Sequence, residues 1–322
     1  MQEDPNQVST AHCRGKLRWL LNRLAPWPRL ARDLFVLSVK VTFAILFASA
    51  RLVVPPTKKS LLGETVLVTG AGHGIGRELA LQLAEKGCIV VCWDTDIQAN
   101  LATIGVISKD GGEAHGFVVD VSQRLEVREA VRLMRKANIP EVTILINNAA
   151  VLMNLPFLEH KSEDIQRMFD VNVLSQFWTI QAFLPSMLHK KKGHIVSMCD
   201  MCGYYGVPNK VPYCSSKHAV RGLMDGLVEE LRLAVKDAKI HFTTVYPFYV
   251  DTGLAPDPNY RFPYTFGAVH PKYAAKEVIR AVQRNYEECT IPRYLLYLNT
   301  INRVLPKRAV RLIIDFLSNA DR

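Results

Sequence analysis

The run "TVLVTG", residues 65–70, passes directly into "AGHGIGRELALQLAEKG", residues 71–87, and limits the fold more than any other feature of the chain. A short apolar strand ends in a glycine turn, and the turn opens an amphipathic helix. The alternation recurs: "CIVVCWD" (88–94), "HGFVVDV" (115–121), "VTILINNAA" (142–150), "GHIVSM" (193–198) and "IHFTTVYP" (240–247) read as strands separated by helical periodicity. Such a series predicts α/β architecture with a doubly wound parallel sheet, because each crossover helix must lie over the sheet and cover one of its faces. No internal repeat or low-complexity stretch interrupts it.

Three regions follow: a basic amphipathic segment and apolar anchor candidate at 1–60, the α/β domain at 61–289, and a basic amphipathic segment at 290–322. Hydrophobic residues make up 49% of the 322 and charged residues 22%, enough for a buried core. The net charge of +10 sits at the ends, with ten Lys/Arg against three Asp/Glu in 1–60 and six against two in 291–322. These basic residues are interleaved with Leu, Ile, Phe and Trp, so an anionic membrane surface is the expected partner and nucleic acid is not.

Residues 14–32 have a basic amphipathic pattern, and "LFVLSVKVTFAILFASARLVVPP" (34–56) is long enough to cross a bilayer. Lys40 interrupts it, and a lysine near a bilayer centre costs about 2.5–3.5 kcal/mol on insertion scales. A spanning helix, an embedded anchor and a soluble helix packed on the domain are the readings open. Both flanks are basic, so charge does not set the orientation. Seven cysteines, an odd number in a chain of this size, suit a reduced compartment. Cys199 and Cys202 form a C-x-x-C without a second pair at zinc-site spacing, so strand-end packing is expected and no metal.

The glycine turn fits T-G-x-x-x-G-x-G, with Gly70, Gly74, Ile75 and Gly76 placed where a pyrophosphate can meet a helix N-terminus. Asp94 closes the second strand. A carboxylate there can accept from ribose hydroxyls and repel a 2′-phosphate, which points to NAD, with NADP still open through His73 and Arg77. Further along, Tyr213 and Lys217 stand at i and i+4 on one helix face. A nearby ammonium is expected to lower the phenol's pKa and to suit it for proton exchange with an alcohol or carbonyl.

Taken together with Asp120, "NNAA" (147–150) and Asn172, these motifs resemble the short-chain dehydrogenase/reductases over residues 64–281. The resemblance implies one Rossmann-like domain. It places Asp120 and Val121 near adenine, and Asn147, Asn148 and Ala149 in support of sheet and cofactor. It makes Asn172 a proton-relay residue, Tyr213 the catalytic acid/base and Lys217 the binder of the nicotinamide ribose. Val250 and Thr252 would lie at the nicotinamide, and Ala150 replaces a commoner glycine.

The stretches "VCWD", "FWTIQAFLPSML" (177–188) and "IPRYLLYLNTINRVLP" (291–306) are similar to the membrane-associated branch that holds retinol dehydrogenases and lipid-droplet 17β-hydroxysteroid dehydrogenases. That branch implies a lipophilic substrate such as a retinoid or steroid and an endoplasmic reticulum or lipid-droplet location with the catalytic domain facing the cytosol. A homodimer is left open. "YRFPYTFGAVHP" (260–271) suits a mobile apolar lid, and "RVLPKRAVRLIIDFL" (303–317) suits either a membrane-facing or a packed helix.

One position departs from the pattern. The resemblance implies a serine thirteen residues before the tyrosine, and that position is Asp200. Ionised, it would repel a developing alkoxide; protonated in an apolar pocket, it could donate as a hydroxyl does. The two outcomes are an oxidoreductase with Asp200 in its catalytic set, or a catalytically weak cofactor-binding scaffold or sensor on a lipid surface.

Overall fold

The computed structural model describes residues 26–235, 238–254 and 261–317. Two compact units result, Met1–Thr57 and Lys58–Arg322. Residues 14–25 of the basic amphipathic stretch lie outside the described residues.

In the first unit, helix α1 (Pro26–Val53) contains a 25-residue apolar span, Trp27–Arg51, with mean hydropathy 1.8. At 1.5 Å rise per residue such a span exceeds the ~30 Å hydrocarbon thickness of a bilayer. All its residues are exposed. Lys40 falls near its midpoint rather than near an end, so the ammonium cannot reach a headgroup layer without a tilt or a local water defect.

The second unit is built on seven parallel strands in the order β3-β2-β1-β4-β5-β6-β7. They are β1 (Thr65–Thr69), β2 (Ile89–Asp94), β3 (Glu113–Val118), β4 (Ile144–Asn147), β5 (Lys192–Met198), β6 (Lys239–Pro247) and β7 (Glu288–Ile291). Helices α2 (Gly74–Ala84), α3 (Ile97–Lys109), α4 (Arg124–Lys136), α5 (Ser162–Phe169), α6 (Ser175–His189) and α7 (Val211–Ala234) follow the first five strands, with a π turn at Asp170–Leu174 joining α5 to α6. After β6 come the short α8 (Pro263–Phe266), α9 (Pro271–Arg284) and, beyond β7, α10 (Leu295–Val304) and α11 (Lys307–Leu317).

Strand alternation divides the core. Val66 and Val68 face α2 and α9 through Leu79, Leu83, Val278 and Val282, while Leu67 and Trp93 face α4, α6 and α7 through Val127, Phe183 and Met224. Both faces are apolar because both are covered, as the sequence series predicts. The strand order reverses between β1 and β4, and the crevice at their carboxyl ends is where ligands bind in such sheets.

Sequence patterning misses β7. "ECTI" carries a glutamate and a threonine instead of an apolar run, yet Thr290 is buried and its hydroxyl donates to the Pro292 and Arg293 carbonyls at 2.9 and 3.1 Å. This strand crosses the 289/290 boundary drawn from the sequence. The other boundary also moves, from residue 60 to residue 57. Lys59 belongs to the second unit: its N–H donates to Gln283 O on α9 at 2.7 Å, and its ammonium donates to Nδ1 of buried His194 on β5 at 2.9 Å. Burial, then Lys59, push His194 well below its usual pKa, so the ring is neutral. Its Nε2–H then donates to Thr243 Oγ1 at 2.8 Å, and Thr243 donates to Tyr286 O at 2.6 Å.

Residues 261–271 are fastened at several points. Val269 bridges to Val250, Phe266 meets Phe248 edge-on at 6.0 Å, and the Tyr294 hydroxyl donates to Thr265 O. On α11, Leu312, Ile313, Ile314 and Phe316 are exposed, although the Arg261 guanidinium lies 4.2 Å from the Phe316 ring centroid.

Candidate active site

The carboxyl ends of β1, β2, β4, β5 and β6 enclose a cavity of about 1140 Å³. Its first half is a glycine cradle. Gly70 and Gly74 have φ of +67° and +52°, the left-handed region that favours glycine. Gly76 is there for space: a Cβ would lie 1.9 Å from the Gly70 carbonyl oxygen. The α2 N-cap, His73, makes no side-chain cap bond, and no acidic residue occupies the first turn. Asp94 holds the neighbouring loop, accepting from Gly72 N at 2.7 Å and Asp96 N at 2.9 Å. Thr69 Oγ1 accepts from the N–H groups of Asn148 and Ala149, both at 3.0 Å, while the Asn148 amide donates to the Thr69 and Gly70 carbonyls. Asp120 Oδ1 accepts from Ser122 N and Oγ, and Val121 lies beside it at the cavity wall. A helix N-terminus with open first-turn donors, close-approach glycines and a wall carboxylate fit a dinucleotide.

The second half holds the polar cluster. Tyr213 and Lys217 project from the first turns of α7, each only 2% exposed. The Tyr213 hydroxyl donates to Asp200 Oδ2 at 2.9 Å, and Asp200 Oδ1 accepts from Cys202 N at 3.0 Å. The Lys217 ammonium donates to Met198 O at 2.9 Å and lies 5.4 Å from the Tyr213 ring centroid. Asp200 has φ +82° and ψ 152°, a region occupied almost only by glycine and costing roughly 1–3 kcal/mol for other residues. Its N–H donates to Val245 O, and its carbonyl accepts from Gly203 N, so surrounding bonds hold the strained residue in place.

Burial sets the electrostatics. It pushes the Asp200 carboxyl up, against the Cys202 N–H and Lys217, and it pushes the Lys217 ammonium down, against Asp200. The phenol behaves contrary to the sequence expectation: burial first, then the Asp200 carboxylate, hold Tyr213 well above its usual value. The neutral phenol therefore keeps its proton, aimed at Asp200.

Of the residues singled out in the sequence, Gly70, Gly74, Ile75, Asp94, Asp120, Val121, Asn148, Ala149, Asp200, Tyr213, Lys217, Val250 and Thr252 line the cavity. Gly76, Asn147 and Asn172 stand behind the wall. Asn147 accepts from Thr179 Oγ1 at 2.7 Å. In the π turn, Asn172 accepts from Val151 N and donates to Val151 O and Ser216 Oγ, so its side chain is occupied in joining α6, α7 and the loop after β4. Sequence reasoning missed Met198, whose carbonyl fixes Lys217, and Thr69, whose place before the first glycine was a readable signal. The remaining wall mixes apolar Leu152, Met201, Val207, Phe248 and Leu254 with polar and charged Ser162, Glu163, Gln166, Arg167, Asp170 and Lys210. Gly253 and Leu254 line it, whereas none of 261–271 does, so the expected lid does not contribute wall among the described residues.

The family described as short chain dehydrogenase matches residues 64–259. The chain belongs to that family. As a short-chain dehydrogenase it is an NAD(P)-dependent oxidoreductase acting on alcohol groups. It is 33% identical over 281 residues to human 17-beta-hydroxysteroid dehydrogenase 13, covering 87% of this chain and 92% of the relative. It is 32% identical over 288 residues to human epidermal retinol dehydrogenase 2, covering 89% and 93%. Among solved structures, a short-chain dehydrogenase/reductase from Burkholderia phymatum in complex with NAD superposes with TM-score 0.68 at 24% identity, covering 76% of this chain and 94% of that one. A metagenomic short-chain oxidoreductase in complex with NADP gives TM-score 0.60 at 25% identity, covering 72% and 97%.

Proposed function

We propose that this short-chain dehydrogenase is membrane-bound and interconverts a lipophilic alcohol and its carbonyl, with a retinoid or steroid as the substrate class and Asp200 acting as a neutral acid. The observation that carries the reading is the 2.9 Å bond between Tyr213 and part-buried Asp200, both of which line the cavity. Similarity to relatives named for steroids and retinol supports the substrate class.

When bound, the nicotinamide supplies or accepts the hydride. Tyr213 holds the exchangeable proton at its hydroxyl and delivers it to the substrate oxygen in reduction. A protonated Asp200 donates to the same oxygen, in the place of a serine. Lys217, fixed by Met198, faces the ribose, and Thr252 and Val250 border the nicotinamide. Asn172 stands in the relay position through the packing it provides. Asp94 meets the adenosine ribose and favours NAD; Asp120 and Val121 border adenine.

Cofactor fluorescence combined with turnover on a panel of lipid alcohols and carbonyls tests the reading. Turnover with retinoids or steroids supports it. Cofactor binding without turnover on any of them favours the scaffold reading, which the occupied Tyr213 hydroxyl also supports.

Asp94→Ala is expected to raise the NADP/NAD ratio of kcat/KM by about tenfold, equivalent to ~1.4 kcal/mol. The Gly72 and Asp96 N–H groups lose their acceptor as well, so the variant should be less stable by about 1–3 kcal/mol. A native protein that already prefers NADP would overturn the assignment of Asp94.

Resemblance to the membrane-associated branch, with α1 read as the anchor, supports a location at the endoplasmic reticulum or a lipid droplet with the catalytic domain in the cytosol. Removing residues 1–57 should shift most of the protein from the floating to the soluble fraction in a vesicle flotation assay. Full-length protein that stays soluble would remove the anchor.

A further inference from the structure

Helix α10 turns polar side chains inward. Tyr297, Leu298, Ile301 and Val304 are exposed, whereas on the opposite face, at i, i+4 and i+7, Leu295 and Asn299 are buried and Asn302 is half-buried. A buried amide costs free energy unless it is hydrogen-bonded, and Asn299 is only 3% exposed. Both asparagines converge on one hydroxyl. That of Tyr205 donates to Asn299 Oδ1 at 2.6 Å and accepts from Asn302 Nδ2 at 3.3 Å.

Tyr205 stands at the cavity. It lines the wall with Met201 and Phe248, and these three pack in one apolar cluster with Leu295 of α10. Its N–H donates to Met201 O at 3.1 Å, so it is tied to the turn that follows Asp200. Neither Asn299 nor Asn302 lines the cavity. The hydroxyl is therefore bonded to groups behind the wall, and the ring is what a ligand meets.

We infer that Asn299 is a positioning residue for substrate choice: through its bond to Tyr205 it fixes that ring as a rigid wall for the body of a lipophilic alcohol, a fused-ring or conjugated molecule that extends beyond its reacting carbon. A wall already held in place loses little freedom when a ligand packs on it. A freed tyrosine must be ordered at the moment of binding, and it brings an unpaired hydroxyl to an apolar contact. A small alcohol reacts without reaching the ring. The effect on KM rests on the hydride-transfer reading; the effect on ligand affinity does not.

The test compares native full-length protein with Asn299→Leu, Tyr205→Phe and the double variant. Leucine keeps the size of asparagine and removes its acceptor, while phenylalanine keeps the ring and removes the hydroxyl. The same bond is thus broken from either side, and if one variant fails to fold the other decides. KM and kcat are measured for all-trans-retinol, estradiol and cyclohexanol, with Kd for retinol from its own fluorescence and for estradiol by equilibrium dialysis. Each single variant is expected to raise KM and Kd for the two large alcohols about tenfold, or ~1.4 kcal/mol, with kcat and the KM for cyclohexanol changed less than about twofold. The double variant should be no worse than either single, because one bond is lost in all three; losses that multiply to about a hundredfold would show independent effects and overturn the inference. An equal rise of KM for cyclohexanol overturns it as well, and so do unchanged values for all three alcohols. A double variant whose melting temperature and KM return together to native values makes Asn299 structural only. Native protein that binds retinol or estradiol without turning either over counts against the hydride-transfer reading, and the Kd comparison still decides Asn299. Native protein that binds neither overturns the inference.

Discussion

Replacing Asp200 with serine is expected to raise turnover by tenfold or more at the alkaline end of a pH series and by little at its acid end. The sign follows from burial, which raises the Asp200 carboxyl above its usual value. Below that raised pKa the group is neutral and donates; above it, a carboxylate faces the substrate oxygen as negative charge develops there. Two like charges ~4 Å apart at an effective dielectric near 20 repel by about 4 kcal/mol, an upper bound near a thousandfold. Retaining only a third of that gives the tenfold. Serine has no carboxyl to titrate, so the variant should lack the alkaline loss of the native enzyme. Parallel pH profiles for the two proteins would show that Asp200 does not govern the proton step.

Tyr213→Phe should lower turnover by about 10²–10⁴-fold, the usual contribution of a positioned acid/base, with the Kd for NAD changed less than about twofold. The ring and its place beneath Lys217 remain; only the hydroxyl goes. Asp200 Oδ2 loses its donor, and the carboxyl should be driven further towards its neutral form. Stopped-flow turnover and cofactor fluorescence on the same preparation read the two effects. Retained turnover would place the proton elsewhere, and a large loss of NAD binding would make Tyr213 structural.

The central strands and the glycine turn were legible because parallel strands covered on both faces are apolar, and because a close turn leaves no room for a side chain at Gly76. β7 was not, since its buried threonine is satisfied by carbonyls of the segment that follows, a pairing that does not show in a pattern of apolar residues. Spacing brought Tyr213, Lys217 and Asp200 to notice. It did not reveal the balance among them: proximity of a lysine suggested an acidified phenol, whereas full burial and the neighbouring carboxyl outweigh it. The C-x-x-C was legible as strand-end packing, and Cys199 and Cys202 are both buried just after β5. The backbone of Asp200 had no signal in the sequence, since φ +82° with ψ 152° is a region occupied almost only by glycine.

The chain of bonds from Lys59 through His194 and Thr243 to Tyr286 determines where a tail-less version of the protein can begin. Starting at residue 58 preserves the donor to the His194 ring; starting three residues later strands a desolvated imidazole nitrogen, at roughly 1–3 kcal/mol, and opens the lower rim of the sheet to water. Two truncations that look interchangeable on a hydropathy plot should therefore differ in yield and melting temperature. The difference has its origin at the end of the sheet farthest from the chemistry.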